Sequence, residues 1–447
     1  MLQHPTPSEE GATTQAKPPR NSNLEIARIV AMLMIVTFHQ VIFTGGKFPD
    51  SPDISVMTYS FGSMLGLAGV VVFMLITGYF MANQKITVTK ILKLLLEVWF
   101  FSIAIRICGV LFMGETLDEE YIKDMLFPIL SDEYWFVSSY LIVVILSPLI
   151  NLCLHHISAK AHLMLCIGLL FVSWGLFSIH NITVDGTPVV SKHLSLITLY
   201  CIGAFISLHP QPIMSSARTG RAVLAYAIIA SLALSAAVAF LVYDGDLGWG
   251  WFPQLVVLAA FVAGALLCAT APEGKLFDRL FVFVVAFLPV PLFLDLGYND
   301  FDGMLSIYMG KMSGITLLLG FAIFLYFVNK EPKTSKAVNW VAASMFGVYL
   351  THENPIIHFR LWGEWLGLDG YFGYDYYPLA VIAATLFVFT VCLLIDKARI
   401  YLVFKPLDKY LQRFYDWAER GVAKLGEKAD ASLKRREYIR FHRFETV

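Results

Sequence analysis

Three ionisable side chains interrupt an apolar stretch near the start of the chain: Glu25, Arg28 and His39, within NLEIARIVAMLMIVTFHQ, residues 23–40. A carboxylate, a guanidinium and an imidazole can between them orient a cation, steady a developing oxyanion and move a proton. Imidazole suits the last task because its ordinary pKa lies near neutrality. Whether the three cooperate depends on register. A helix turns 100° and rises 1.5 Å per residue, so eleven residues from Arg28 to His39 turn about 1100°, within roughly 20° of whole turns. Glu25 lies one turn before Arg28, so all three share a stripe, with His39 about 16 Å along the axis from Arg28. Ionisable groups in lipid cost several kcal/mol and usually face a bundle interior or a wet cavity. Plainer readings stay open: Arg28 as a snorkelling anchor, Glu25 as its i,i+3 partner, and His39 as an interfacial histidine.

Other residues could join such a site. His352, in YLTHE, falls some thirteen residues into an expected outward-running helix, at about the depth of His39, with Tyr349 one turn before it. Either His352 is a second site residue or it makes a structural hydrogen bond. Arg106 falls near the middle of an apolar run, either in a channel or as a partnered structural charge. Glu97, nine residues earlier, lies about 180° around the same helix and cannot be its same-helix partner. Lys85, Lys90 and Lys93 cluster in a loop and the following helix start, where they could hold phosphates or serve as ordinary loop lysines. Trp135 offers a face for stacking a sugar; with Tyr140 and Asn151 it could equally pack within the bundle. The six cysteines all lie in or beside apolar runs without CxxC or CxxH spacing, and read as small packing residues. No metal site, Walker loop or GxGxxG turn is indicated.

The elements that must position these residues are membrane helices. The chain has 447 residues, 57% hydrophobic and 15% charged, with a mean hydropathy of +0.66. Soluble domains carry about 25% charged residues, so the expected fold is all-α, a polytopic membrane helical bundle. A span needs roughly 20 apolar residues. Such runs predict twelve helices, at about 24–44, 59–81, 94–113, 134–154, 162–179, 193–209, 222–243, 254–271, 279–297, 311–329, 339–358 and 376–396. The run with Pro289, Pro291 and Asp295 reads as broken or re-entrant, which leaves ten spans open. With the N-terminus inside, loops before the last span place thirteen Lys and Arg on the inner side and five on the outer. The positive-inside rule then puts both termini in the cytoplasm of a cell-membrane protein. Residues 1–22 read as a disordered tail, 23–397 as the membrane domain, and 398–447 as a basic amphipathic tail. That tail would lie on the anionic inner leaflet of the bilayer or be solvated. The net charge of −1 gives no sign of nucleic acid as a partner.

The spacing Arg28–x10–His39 resembles the first-span signature of the type 3 integral-membrane acyltransferase family, which includes bacterial enzymes that O-acylate surface glycans. Three further stretches are similar to its motifs: VVFMLITGYF (71–80), YWFVSSYLIVVILSPLIN (134–151) and MFGVYLTHENPI (345–356). The resemblance covers about residues 21–397. It implies a membrane acyltransferase moving an acyl group, acetyl in the first instance, from cytoplasmic acyl-CoA to a hydroxyl of an extracytoplasmic glycan or glycolipid. His39, Arg28 and Glu25 would then be catalytic, with His39 as base or nucleophile. Lys85, Lys90, Lys93 and Arg106 would bind the donor, while His352, Tyr349 and Trp135 would meet the acceptor. Two departures stand out. The loop that often carries paired arginines reads NQKITVTKILK, with lysines only, and no large extracytoplasmic domain follows the last span. An exporter of polysaccharide or lipid-linked sugar is the alternative, weakened by the lack of an internal repeat. A membrane subunit without chemistry is the third reading.

Overall fold

The computed structural model describes residues 21–43, 53–131, 133–175, 183–184, 187–188, 192–244, 275–288 and 313–444. Fifteen α-helices run through them: α1 (Ser22–Phe43), α2 (Ile54–Met81), α3 (Val88–Phe112), α4 (Glu119–Leu126), α5 (Trp135–His156), α6 (Ala159–Leu170), α7 (Lys192–Leu208), α8 (Ala217–Asp244), α9 (Leu276–Phe287), α10 (Gly314–Val328), α11 (Lys336–Ala342), α12 (Met345–His352), α13 (Pro355–Phe359), α14 (Tyr377–Ala398) and α15 (Lys405–Phe444). Among the described residues, six helical stretches are long and apolar enough to cross a membrane, and three shorter apolar helices accompany them. The protein is therefore an all-α, polytopic membrane bundle. Its only described strand pairing is the two-residue ladder Thr183–Val184 with Thr187–Pro188.

Helix α2 is the central post, packed on α1, α7, α8, α10 and α14. Its approach to α7 depends on glycine. A Cβ on Gly78 would run into the Tyr200 carbonyl, and one on Gly203 into the Leu75 carbonyl, so each helix lends the other a gap. Lipid offers no hydrophobic drive for helices to associate, and such close backbone contact replaces it. Helix starts are fixed by side-chain caps: Asp53 accepts from Ser55 N and Val56 N on α2, and Thr87 caps α3. A reciprocal Ser313–Thr316 capping box opens α10.

Two clamps set the rotation of α1, and with it the ionisable stripe. At one end, Ser22 N donates to Lys333 O (2.7 Å) and Asn23 Nδ2 to Glu331 O (2.7 Å), in the loop after α10. Toward the other, Thr385 Oγ1 of α14 donates to Gln40 Oε1 (3.0 Å) and lies 3.1 Å from Thr37 Oγ1.

The structure departs from the expected spans in one informative place. Residues 339–358 form three short pieces, α11, α12 and α13, instead of one helix. Pro355 cannot supply an N–H to continue α12, and Asn354 caps α13 by accepting from Ile356 N. Helix α9 covers the start of the expected 279–297 run, while Pro289, Pro291 and Asp295 lie outside the described residues. So do the expected 254–271 span and the N-terminal tail to residue 20.

Candidate active site

A single cavity of about 730 Å³ links residues from both ends of the bundle. At the lysine-bearing end it is lined by Lys90 and Lys93 of α3. At the opposite end it meets Trp135 at the start of α5 and Lys192 at the start of α7, whose Nζ sits 5.3 Å from the Trp135 ring centre. Arg28 and His39 both line it, and the wall between them is apolar, with Met32, Ile35, Val70, Phe73 and Phe346. The shared stripe on α1 thus faces a protein-lined space. Gly66 belongs to the wall as well, and a Cβ there would strike the Phe38 ring.

His39 is the head of a buried polar chain. Its Nδ1 lies 3.1 Å from His352 Nε2, and its Nε2 lies 3.0 Å from Glu353 Oε2. His358 Nδ1 comes within 3.3 Å of the same carboxylate oxygen. Hydrogen-bond logic assigns the protons. His352 Nδ1 sits 2.7 Å from the Val348 carbonyl, which only accepts, so that nitrogen carries hydrogen. The neutral ring then holds its lone pair at Nε2 and receives His39 Nδ1–H. His39 Nε2 is left to share one proton with Glu353. One proton position thus remains, between His39 Nε2 and Glu353 Oε2, and the pair acts as a general base when that position is empty.

The break between α12 and α13 puts Glu353 there. Asn354, completely buried, donates from Nδ2 to Tyr134 Oη (2.7 Å) and to Glu133 Oε1 (3.0 Å). Tyr134 Oη in turn donates to Leu350 O (3.1 Å). These bonds tie the 353–354 turn to the start of α5. Glu133, in the loop before α5, has its carboxyl pushed up to about 7 by burial, with the Arg106 cation pulling the other way.

The remaining residues divide cleanly. Arg28 Nη1 donates to Glu25 Oε1 (2.5 Å), and Glu25, nearly fully buried, stands behind it instead of lining the cavity. Tyr349 and Trp135 line the cavity, whereas His352 sits behind His39. Lys85 is exposed and does not reach the cavity. Arg106 is not brought to it either. Thirteen residues beyond Lys93 on α3, it lies about 20 Å further along the helix. There it pairs with Asp124 (3.3 Å) and Glu133 (3.4 Å) and stacks on Tyr121. Glu97 does line the cavity, and its partner is Arg399 (2.8 Å) from the π-helical stretch after α14.

Sequence reasoning missed Glu353, His358 and Lys192. The first two had a signal, since THENPIIH places three ionisable groups within seven residues at the end of an apolar run. His39, His352 and Glu353 offer three ligand atoms within 4.8 Å of one another. Their direct 3.0 and 3.1 Å contacts have the lengths of hydrogen bonds in a proton-sharing chain.

A family model described as an acyltransferase domain matches residues 21–279, which run from the start of α1 into α9. No curated protein and no solved structure matches significantly. The matched region holds Arg28 and His39; His352 and Glu353 lie beyond it and reach His39 only through the fold.

Proposed function

Since the chain belongs to the family of type 3 membrane acyltransferases, we propose that it carries a short acyl group from cytoplasmic acyl-CoA to a hydroxyl of a glycan or glycolipid on the far side. One observation carries this reading: Lys90, Lys93, Arg28 and His39 all line the same cavity. The phosphates of CoA cannot enter hydrocarbon, so they stay at the lysine end, where Lys90 and Lys93 supply point charges. The thioester on its flexible arm extends along the apolar wall toward His39. Arg28 stands about 16 Å of helix rise from His39, further than an arginine side chain reaches. It therefore steadies polar parts of the donor, with Glu25 orienting it, and does not hold the oxyanion at His39.

At His39 the acceptor hydroxyl meets the thioester carbonyl. With the position between His39 Nε2 and Glu353 empty, the hydroxyl proton passes into it, and the Glu353 carboxylate stabilises the resulting imidazolium. The hydroxyl oxygen forms the new C–O bond while the C–S bond breaks. The departing thiolate then recovers the proton from His39, leaving free CoA thiol, the ester and neutral imidazole. Trp135, at the far end, gives the acceptor sugar an apolar face to stack on.

The test is transfer of label in sealed proteoliposomes. Acetyl-CoA supplied on the lysine side should label a glycan acceptor on the opposite side. Movement of glycan across the membrane without any need for acyl donor would instead make the protein an exporter.

A further inference from the structure

Helix α15 is amphipathic, and only part of its apolar surface is used inside the protein. Its inward face is docked on α3. Phe404, just before it, packs on Phe100 with ring centres 5.7 Å apart, Lys93 Nζ lies 5.3 Å from the Tyr415 ring centre, and Thr89 N donates to Glu419 Oε1 (3.4 Å). Tyr415 is 3% exposed as a result. The order of these contacts runs α15 antiparallel to α3, so residues 404–419 lie beside residues 100–89. Those are the turns of α3 that rise from its N-terminal lysines into the apolar span.

Beside the docked face lies a second stripe. Leu407, Tyr410, Phe414 and Trp417 recur at i, i+3, i+7 and i+10 and are all exposed, Tyr410 and Trp417 by about two thirds. Arg413, Arg420 and Lys424 fall on one line bordering that stripe, at i, i+7 and i+11. Two aromatic tips and an adjacent row of cations, held at the depth where a spanning helix enters lipid, have the chemistry of a headgroup-contacting surface. Helix α15 also continues directly from the spanning helix α14 through the π-helical stretch Arg399–Phe404, so its first turns start at the end of that span.

We propose that this stripe rests on the anionic lipid headgroups around the lysine-bearing mouth of the cavity, and that its seating there governs how Tyr415 holds Lys93 at that mouth. The lipid contact stands independently of acyl transfer; the effect on the mouth rests on the donor entering there. In the full chain, Tyr410 is replaced by photoreactive benzoylphenylalanine and the protein is reconstituted in phosphatidylcholine alone or with 30% phosphatidylglycerol, about a third of the lipid, as for an anionic leaflet. Illumination should give a lipid adduct that rises with phosphatidylglycerol. It should fall back to the neutral-vesicle level in the triple variant Arg413→Gln, Arg420→Gln, Lys424→Gln. The wild-type KM for acetyl-CoA should drop about fivefold with phosphatidylglycerol and stay flat in the triple variant, the acceptor KM being unchanged in both. A crosslinked dimer in place of the lipid adduct, or no adduct at all, overturns the lipid surface. An adduct with a flat donor KM overturns the coupling to the mouth. If the wild type transfers no acyl group, the adduct still reports on the surface, and the fault lies with the acyl-transfer reading.

Discussion

His39 Nδ1 and His352 Nε2 meet at 3.1 Å across 313 residues of sequence, and this contact fixes which nitrogen of His39 is left to work. The Val348 carbonyl holds the proton on His352 Nδ1, His352 accepts from His39 Nδ1, and His39 Nε2 is turned to Glu353. A histidine on α1 thus acquires its tautomer from α12.

Glu353→Gln keeps the shape of the side chain and removes the charge beside His39 Nε2. It should lower kcat for acyl transfer by about 10²-fold, with the donor KM held, because the carboxylate acts when the imidazolium forms and not when the donor binds. Steady-state kinetics in proteoliposomes check this; a raised KM at normal kcat would move Glu353 out of the proton chain.

The cavity-lining lysines should act on binding instead. Lys90→Gln and Lys93→Gln are each expected to raise the acetyl-CoA KM about fivefold, in keeping with a charge-assisted contact partly screened by water, while kcat is retained. Lys85→Gln, whose side chain is exposed away from the cavity, should change neither. Equal effects from all three would indicate a general surface-charge effect.

Glu133 gives a stability signature. Its folded carboxyl titrates at about 7 against an ordinary value of 4.5, the rise being due to burial. Between those values the folded state binds more protons than the unfolded one, so its contribution is full below pH 4.5 and is lost as pH rises through 7. The loss is on the order of 3 kcal/mol. Thermal melting in detergent from pH 5 to 8 should show wild type losing stability relative to Glu133→Gln as pH rises. Parallel profiles would contradict the raised value.

Gly78→Ala should destabilise the protein by about 1–3 kcal/mol, because the new methyl meets the backbone carbonyl of Tyr200 and backbone cannot step aside. Gly168→Ala, with open space around it, serves as the control. A lower melting temperature for the first variant alone is the expected outcome.

Much of this site was legible in the sequence, for a definite reason. The eleven-residue interval from Arg28 to His39 is nearly a whole number of turns, and an uninterrupted apolar helix preserves that register, so the shared stripe on α1 survived folding. The depth of His352 followed from the same arithmetic. The breaks within 339–358 were harder to place: Ala343 and Ser344, which part α11 from α12, are ordinary helix residues, and the turn from α12 into α13 is held by Asn354 bonding to Tyr134 and Glu133, more than 200 residues away. Arg106 was open between a channel residue and a partnered charge, and its partners could not be named: Asp124 and Tyr121 sit on α4, a short helix with too few apolar residues to register in a search for spans. The docking of α15 on α3 left no local trace, since a half-buried amphipathic helix and one lying free on a membrane share one periodicity.

The central claim is that proton transfer at His39 drives acyl transfer through the shared cavity. Its most direct test is acetyl transfer from acetyl-CoA to a glycan acceptor in sealed proteoliposomes, by wild type and by His39→Ala at equal folded protein as judged by melting. Loss of a positioned base should cut the rate by about 10²- to 10⁴-fold, with donor binding intact. An alanine variant that transfers at the wild-type rate would contradict the claim.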